Sequence, residues 1–173
     1  MAVVRTFVVN IADLLHRPGA RRREQLAGPT TPLSVGDTKV GDGADLAVEV
    51  LLEAVSDGIL ATGSAQAPWV STCARCLRPI EGRAHADFRE MYSEHPVDED
   101  TYPVVHHERI DLELAGRDAV LVGIPLAPLC RVDCAGLCPV CGADRNEAAC
   151  ECTTDSADPR WAVLEGLRFD DPA

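Results

Sequence analysis

Apolar and polar residues alternate most regularly between residues 46 and 91. In LAVEVLLEAV the apolar positions of one strand face are Val48, Val50, Leu52 and Ala54. Ser-Asp-Gly at 56–58 favours a turn, and ILATGSAQ, APWVSTC and IEGRAHADFREM extend the pattern. This patterning predicts four or five antiparallel strands that form a half-buried sheet or a partly closed barrel.

The segments around this predicted sheet are less regular. VVRTFVVNIADLL near the amino terminus predicts a short strand that runs into a turn or a helix. Residues 28–45 contain four glycines and two prolines, which predicts a loop with at most one short strand. Residues 93–108 are polar and predict a mobile loop.

Two helices are predicted after the sheet. Asp111 is the predicted N-cap of the first, Pro125 limits its length, and its apolar face would hold Leu112, Ala115, Ala119 and Val122. The second would start with Asp158 as N-cap and Pro159 at the first helical position, with Trp161, Leu164 and Leu167 or Arg168 on one side. The predicted class is therefore α+β. We expect a β-rich core over residues 1–128, and a cysteine-rich segment with the C-terminal helix, residues 129–173, packed on that core.

Length and composition restrict the class of protein. The chain has 173 residues and a formal net charge of −12, which suits one domain or one domain with a small added module. The sequence shows no apolar run of the ~20 residues that a membrane span needs. Asp13 in the amino-terminal stretch argues against a secretory signal. We therefore expect a cytoplasmic protein without a membrane partner, whose eight cysteines serve as metal ligands or redox groups.

Charge is unevenly distributed along the chain. Residues 1–23 carry a net charge of +4, whereas residues 87–113 carry −7. The arginines predicted to contact RNA, in a loop or a fraying helix, are Arg17, Arg21, Arg22 and Arg23. The acidic stretch from Glu94 to Glu99 could instead meet a basic protein, which the overall negative charge favours.

The cysteines lie in two places. Cys73 and Cys76 form one C-x-x-C pair, and the others follow later as Cys130, Cys134, Cys138, Cys141, Cys150 and Cys152. A C-x-x-C turn directs two thiolates at one metal ion, and tetrahedral zinc needs four ligands. One pairing closes a local site with Cys138, Cys141, Cys150 and Cys152 and leaves Cys73, Cys76, Cys130 and Cys134 for a long-range site. The alternative is a ribbon in which the first pair joins Cys138 and Cys141. We expect one or two structural zinc ions, with iron as the less favoured metal.

The sequence matches known catalytic motifs only weakly, in contrast to its cysteine pattern. The H-x-E spelling at 106–108 lacks the P-C-x-x-C partner of a zinc deaminase. The sequence contains no nucleophile elbow, P-loop or dinucleotide fingerprint, so no small-molecule substrate is expected. Thiol redox chemistry at Cys73 and Cys76 is the alternative, because Arg75 and Arg78 would lower the pKa of a thiolate there.

Several motifs occur in a distinctive order. Cys73-Ala-Arg-Cys76-Leu77-Arg78-Pro79 precedes Ile110-Asp111-Leu112, Pro125-Leu-Ala-Pro-Leu129, Cys134-Ala-Gly-Leu-Cys-Pro-Val-Cys-Gly142 and Asp158-Pro-Arg-Trp-Ala-Val-Leu164. With these motifs the chain resembles the bacterial YceD-type family of large ribosomal RNA accumulation proteins. Arg17-Pro18-Gly19 and the tryptophan resemble the actinobacterial branch of that family. The resemblance covers most of the chain from about residue 5.

The resemblance implies a cytoplasmic, non-enzymatic factor for the accumulation or maturation of large-subunit ribosomal RNA. Its expected partners are the precursor of the large ribosomal subunit and, within it, a basic ribosomal protein or the RNA. The alternative reading is a zinc- or thiol-dependent redox enzyme that uses Cys73 and Cys76.

Overall fold

A long β-hairpin organises the sheet. The computed structural model describes residues 6–15, 17–96, 101–104, 108–153 and 159–166. Its elements are β1 (Val8–Asn10), β2 (Arg21–Pro29), β3 (Leu33–Val35), β4 (Thr38–Val40), β5 (Asp45–Val55), β6 (Gly58–Thr72), β7 (Pro79–Ser93), β8 (Thr101–Pro103), β9 (Arg109–Asp111), α1 (Glu113–Gly123) and a 3₁₀ helix (Pro159–Gly166). Strands β6 and β7 pair along their full lengths, from Ile59 opposite Tyr92 to Thr72 opposite Pro79.

The other strands of the main sheet pair with the two sides of this hairpin. On one side β5 pairs with the first half of β6, and β2 pairs with β5. Farther along the same edge, Val70 of β6 pairs with Lys39 of β4, which is joined to β3. On the other side β8 pairs in parallel with the end of β7. All other pairings are antiparallel, which confirms the antiparallel sheet, and the described strands do not form a closed barrel. The predicted number of strands was wrong, because ILATGSAQ and APWVSTC form the single strand β6 and residues 46–91 therefore hold three strands rather than four or five.

The predicted face of β5 forms the core. Its buried residues are Leu46, Val48, Val50, Leu52 and Ala54. Helix α1 covers this side of the sheet through Ala115, Gly116, Ala119 and Val120. Gly116 permits the close approach, because a Cβ there would lie 2.8 Å from Val48 Cγ2. Covering one face with the helix gives the predicted α+β class.

The two remaining strands lie outside the main sheet, and β9 directly precedes helix α1. β1 and β9 form a separate antiparallel pair. The hydroxyl of Tyr92 in β7 donates to the Asp111 carbonyl oxygen at 3.1 Å, which links this pair to the main sheet. Asp111 Oδ1 accepts from the Glu113 amide at 3.0 Å, although Leu112 occupies the N-cap position itself.

Four local predictions were wrong. Residues 28–45 contain two short strands, β3 and β4, where at most one was expected. The polar stretch 93–108 contains the strand β8. Val122 is 84 % exposed, because it lies at the edge of the helix face centred on Ala115 to Val120. The last helix is 3₁₀ rather than α, with Trp161 and Leu164 exposed, while Asp158, Leu167 and Arg168 lie outside the described residues.

Among the described residues, no helix has both the length and the apolar character needed to cross a membrane.

Candidate metal centres

The tip of the long hairpin carries the first cysteine pair. Cys73 follows the last residue of β6, and β7 begins three residues after Cys76. The Leu77 amide donates to the Cys73 carbonyl oxygen at 2.9 Å, and the Cys73 amide donates to the Arg78 carbonyl oxygen at 2.8 Å. These two hydrogen bonds close a tight turn that directs the chain back into β7.

The Cys138-Pro-Val-Cys141 turn repeats this geometry. The Gly142 amide donates to the Cys138 carbonyl oxygen at 2.9 Å, and the Cys138 amide donates to the Ala143 carbonyl oxygen at 2.8 Å. The residue after the second cysteine is left-handed in both turns, with φ 59° at Leu77 and 74° at Gly142. The chain therefore contains two equivalent cysteine turns, one formed on the hairpin and one in the C-terminal segment.

All eight cysteines gather around these turns as two sets of four. The first group is Cys73, Cys76, Cys130 and Cys134, and the second group is Cys138, Cys141, Cys150 and Cys152. Within each group the four Sγ atoms lie within 4.8 Å of one another. This arrangement is the local-plus-long-range pairing considered from the sequence. The alternative ribbon would need the first pair beside Cys138 and Cys141, and the structure does not bring these four together in one group.

The sulfur spacing fits a tetrahedral metal ion. A Zn–S distance of ~2.3 Å requires an S–S edge of about 3.8 Å in a regular tetrahedron. The Cys73 and Cys134 Sγ atoms are 3.8 Å apart, and those of Cys76 and Cys130 are 3.7 Å apart. Both distances are too long for a disulfide bond, and no disulfide joins any of the eight cysteines. Either group could therefore hold a metal ion through four sulfur ligands.

Each cysteine turn stabilises one thiolate. Burial raises the pKa of Cys73, but backbone groups of Cys130, Cys76 and Arg75 favour its thiolate and bring the pKa down to about 6. In the second group the backbones of Cys141 and Val140 lower the pKa of Cys138 to about 6 in the same way. The first cysteine of each turn is therefore poised as a thiolate before any metal binds.

Other cysteines in each group have a raised pKa instead. Burial, with hydrogen bonds from neighbouring thiols, raises the pKa of Cys130 to about 12. The thiol of Cys141, together with burial, raises the pKa of Cys152 to about 12. Further thiolates beside the first would repel it, so a cation is needed to hold all four sulfurs deprotonated.

The first group fastens the C-terminal segment to the hairpin. Backbone hydrogen bonds run from Ala74 N to the Pro128 oxygen at 2.9 Å and from Leu137 N to the Arg75 oxygen at 3.0 Å. The Arg75 guanidinium donates to the Cys134 carbonyl oxygen at 3.0 Å. Around the sulfurs pack Ile80, Leu129 and Leu137. Two ligands come from the hairpin and two from the segment that crosses it, so this centre joins parts of the chain that are distant in sequence.

Asn146 is a supporting residue that the sequence reasoning did not select. Its Nδ2 lies 3.5 Å from Cys134 Sγ, and its Oδ1 accepts from the Ala135 amide and the Arg131 guanidinium, both at 2.8 Å. Asp144 Oδ1 orients it by accepting from Nδ2 and from the Asn146 amide. The residue therefore fixes the 130–135 loop and donates toward a ligand sulfur. Its only sequence signal is the Asx spacing in Asp-Arg-Asn, which is common in turns.

We expect Asn146→Ala to weaken metal binding by the first group by about 10- to 100-fold, because the variant removes an outer hydrogen bond to a ligand. Competition with a chromophoric chelator would measure this affinity. The second group is the internal control and should keep its affinity. Equal weakening of both groups would contradict a specific role for Asn146.

The structure places three of the candidate RNA-binding arginines, Arg21, Arg22 and Arg23, on a strand, which corrects the expected loop or fraying helix. Arg17 lies before this strand. Pairing with β5 extends residues 21–29 as β2, so successive side chains alternate between faces. Arg21 pairs with Glu53 at 2.7 Å. Arg22 pairs with Asp13 and, through Nε at 2.7 Å, with Glu24.

The other two arginines differ from this pair. Arg17 and Arg23 are exposed, and neither forms an ion pair with a described residue. Arg23 lines an open depression on the outer sheet face together with Thr62, Asp87 and Arg89. Two of the four candidate arginines, Arg21 and Arg22, are therefore paired with carboxylates, although the Arg21 side chain stays 62 % exposed. Arg17 and Arg23 are the two that have no ion pair with a described residue. In the acidic stretch, Asp98 and Glu99 lie outside the described residues.

Comparison with known proteins yields one family. A family model described as "Large ribosomal RNA subunit accumulation protein YceD" matches residues 61–168. An uncharacterized protein of Mycobacterium tuberculosis is 36 % identical over 170 residues, covering 94 % of this chain and 81 % of that protein. An uncharacterized protein of Mycobacterium leprae is 32 % identical over 168 residues, covering 92 % and 76 %. No solved structure matches the chain.

Proposed function

The chain belongs to the YceD family of large ribosomal RNA subunit accumulation proteins, and from this premise we propose that it is a non-enzymatic factor in large-subunit assembly, held in shape by two zinc ions. It acts in the cytoplasm on the precursor of the large subunit. The observation that carries this proposal is the pair of four-cysteine groups, each with all its donors supplied by cysteine.

Four sulfur ligands favour a structural role for the metal. Catalytic zinc sites keep one coordination position for water or substrate, whereas closed sites of four cysteines stabilise the fold. Zinc is the metal we propose, because soft thiolate donors in tetrahedral geometry select it, with iron as the rival. Residues 129–153 support the need for a metal, since their only buried side chains are those of Cys134 and Cys138.

The thiol redox alternative has one observation in its favour, the low pKa of Cys73. A redox thiol must also be reached by its substrate. Cys73 is 0 % exposed, and its sulfur lies 3.8 Å from that of Cys134 inside the first group. We therefore propose that Cys73 is a structural ligand.

The assembly role is tested by depletion and by gradient sedimentation. Removing the protein from cells should reduce mature large-subunit RNA relative to small-subunit RNA. The native protein should sediment with large-subunit precursors and not with mature subunits. Crosslinking in cells, with RNA and protein products both identified, would then show what it touches. Unchanged RNA levels together with sedimentation only as free protein would contradict the proposal.

We propose that protein contacts dominate its binding to the precursor, because a chain with a net charge of −12 is repelled by bare RNA over most of its surface. We expect Arg17→Ala/Arg23→Ala to leave the salt dependence of precursor binding nearly unchanged. Each lost phosphate contact would flatten the log–log slope by about 0.9. The exposed Arg83→Ala is the matched control. A slope flattened by nearly two units in the double variant alone would instead identify an RNA contact.

A further inference from the structure

The loop that closes the second group also reaches the first group. Residues 142–149 lie between Cys141 and Cys150, which are two ligands of the second group. Asn146 in this loop has its Nδ2 atom 3.5 Å from the Sγ atom of Cys134, a ligand of the first group. One short segment of the chain is therefore part of one candidate metal centre and a direct neighbour of the other.

Backbone contacts join the same loop to the residues that precede the second group. The Arg145 amide donates to the Gly136 carbonyl oxygen at 2.9 Å, and Asp144 forms an isolated β-bridge with Leu137. Leu137 is bonded in turn to the hairpin, through its amide and the Arg75 carbonyl oxygen at 3.0 Å. The loop of the second group therefore packs against the stretch that the first group fastens to the hairpin.

The ion pairs between the hairpin turn and this loop contribute less. Arg78 Nη2 lies 3.4 Å from Asp144 Oδ2 and 3.3 Å from Glu147 Oε1. The Arg78 side chain is half exposed, and ion pairs at exposed positions stabilise a structure only weakly because solvent screens them. The link between the two groups therefore rests mainly on Asn146 and on the backbone of the loop.

Apolar packing does not hold the loop in place. The structure describes all of residues 139–153, and none of them is buried. Residues 149–153 form no backbone–backbone hydrogen bond with a described residue. Segments with few buried contacts are the ones that open locally in a folded protein. A metal ion shared by the four sulfurs of the second group is therefore what closes the loop at its far end.

We propose that metal binding by the second group orders Asn146 for the first group, so that the two groups load cooperatively. When the second group is empty, the loop opens and Asn146 spends less time beside Cys134. When the second group is filled, the hydrogen bond to this ligand sulfur is formed in advance. Coupling between two binding sites is reciprocal, so metal in the first group strengthens binding by the second to the same extent. The inference rests on the proposed function, which assigns one zinc ion to each group.

Chelator competition on the full-length protein measures the coupling. Cys73→Ser/Cys76→Ser and Cys150→Ser/Cys152→Ser each keep one intact group, and their zinc affinities give the product of the two single-site constants. The overall constant for binding two zinc ions to the unchanged protein should exceed this product by about tenfold. Equality of the overall constant and the product would overturn the inference.

The role of Asn146 is tested by adding Asn146→Ala to the unchanged protein and to both double variants. The overall constant should then equal the product, because the contact that carries the coupling is gone. The second group's own affinity, measured with the first group removed, should not change. Arg145→Ala is the matched control, since its side chain lies in the same loop, is exposed and contacts no described residue. It should keep the full coupling, and coupling that survives Asn146→Ala would contradict the proposed route.

Hydrogen exchange gives a readout that does not depend on affinity. In zinc-loaded Cys150→Ser/Cys152→Ser, the Arg145 amide should exchange about tenfold faster than in the unchanged protein, because the open loop releases its bond to Gly136. The Leu137 amide should stay protected, since the first group still fastens it to the hairpin. Equal protection of the Arg145 amide in the two proteins would show that the second group does not order the loop.

These measurements separate this inference from the proposed function. If the unchanged protein binds two zinc ions without coupling, the inference alone is overturned. If it binds none, the metal assignment in the proposed function fails and the inference falls with it. Sedimentation with large-subunit precursors tests the assembly role independently, because it does not require the two groups to be coupled.

Discussion

Protein purified without chelator is expected to contain two zinc ions per chain, and Cys73→Ser/Cys76→Ser should contain one. The two groups share no ligand, so the loss of one leaves the other complete. Structural zinc binds with an apparent free energy of about 10–16 kcal/mol, much of which is folding free energy of the module. Elemental analysis would give the count.

The matched control is Cys150→Ser/Cys152→Ser, which should also retain one zinc ion, held by the first group. The two variants should differ in structure. Loss of the first group releases residues 129–137 from the hairpin, whereas loss of the second group leaves that attachment intact. Hydrogen exchange of the Leu137 amide, bonded to the Arg75 oxygen at 3.0 Å, would report the difference. Less than half a zinc ion per chain in the unchanged protein would contradict the metal assignment.

Zinc affinity is expected to fall by about 100-fold or more for each pH unit between pH 8 and pH 7. In the metal-free first group the pKa of Cys76 is raised above its ordinary value of 9.0, and burial raises that of Cys130 to about 12. Both thiols hold their protons at neutral pH and must lose them to bind zinc. The second group should show the same dependence, because the pKa of Cys150 is raised above 9.0 and that of Cys152 is raised to about 12.

The sign of this pH dependence follows from which state of the group, metal-bound or metal-free, binds more protons. The metal-bound group contains thiolates and the metal-free group contains thiols, so the stability that zinc supplies is greatest at high pH and lost as pH falls. Below about pH 6, Cys73 and Cys138 also take up protons, and the dependence becomes steeper. Chelator competition across pH 6.5–8 would measure the slope of log affinity against pH. A slope below one would contradict the proton count.

Interactions between close neighbours could be predicted from the sequence. The alternation in β5 identified its buried face, because side chains of a strand alternate strictly between faces. The turn at Cys138 was evident in Cys-Pro-Val-Cys-Gly, since its hydrogen bonds join residues at most five positions apart. The second group spans only residues 138–152. Short loops of this kind specify which side chains meet.

The tertiary structure alone decided the long-range contacts. Cys73 and Cys134 are 61 positions apart, and spacing could not choose between this partner and Cys138 until the hairpin and the C-terminal segment were docked. Asn146 was overlooked because its contact with Cys134 Sγ, twelve positions away, has no sequence signal beyond a common turn spacing. Three consecutive arginines suggested a loop or a fraying helix, but pairing with β5 made them a strand and supplied Glu53 as a partner. Local pattern determines how a segment can fold, whereas its partners depend on which surfaces the whole chain brings together.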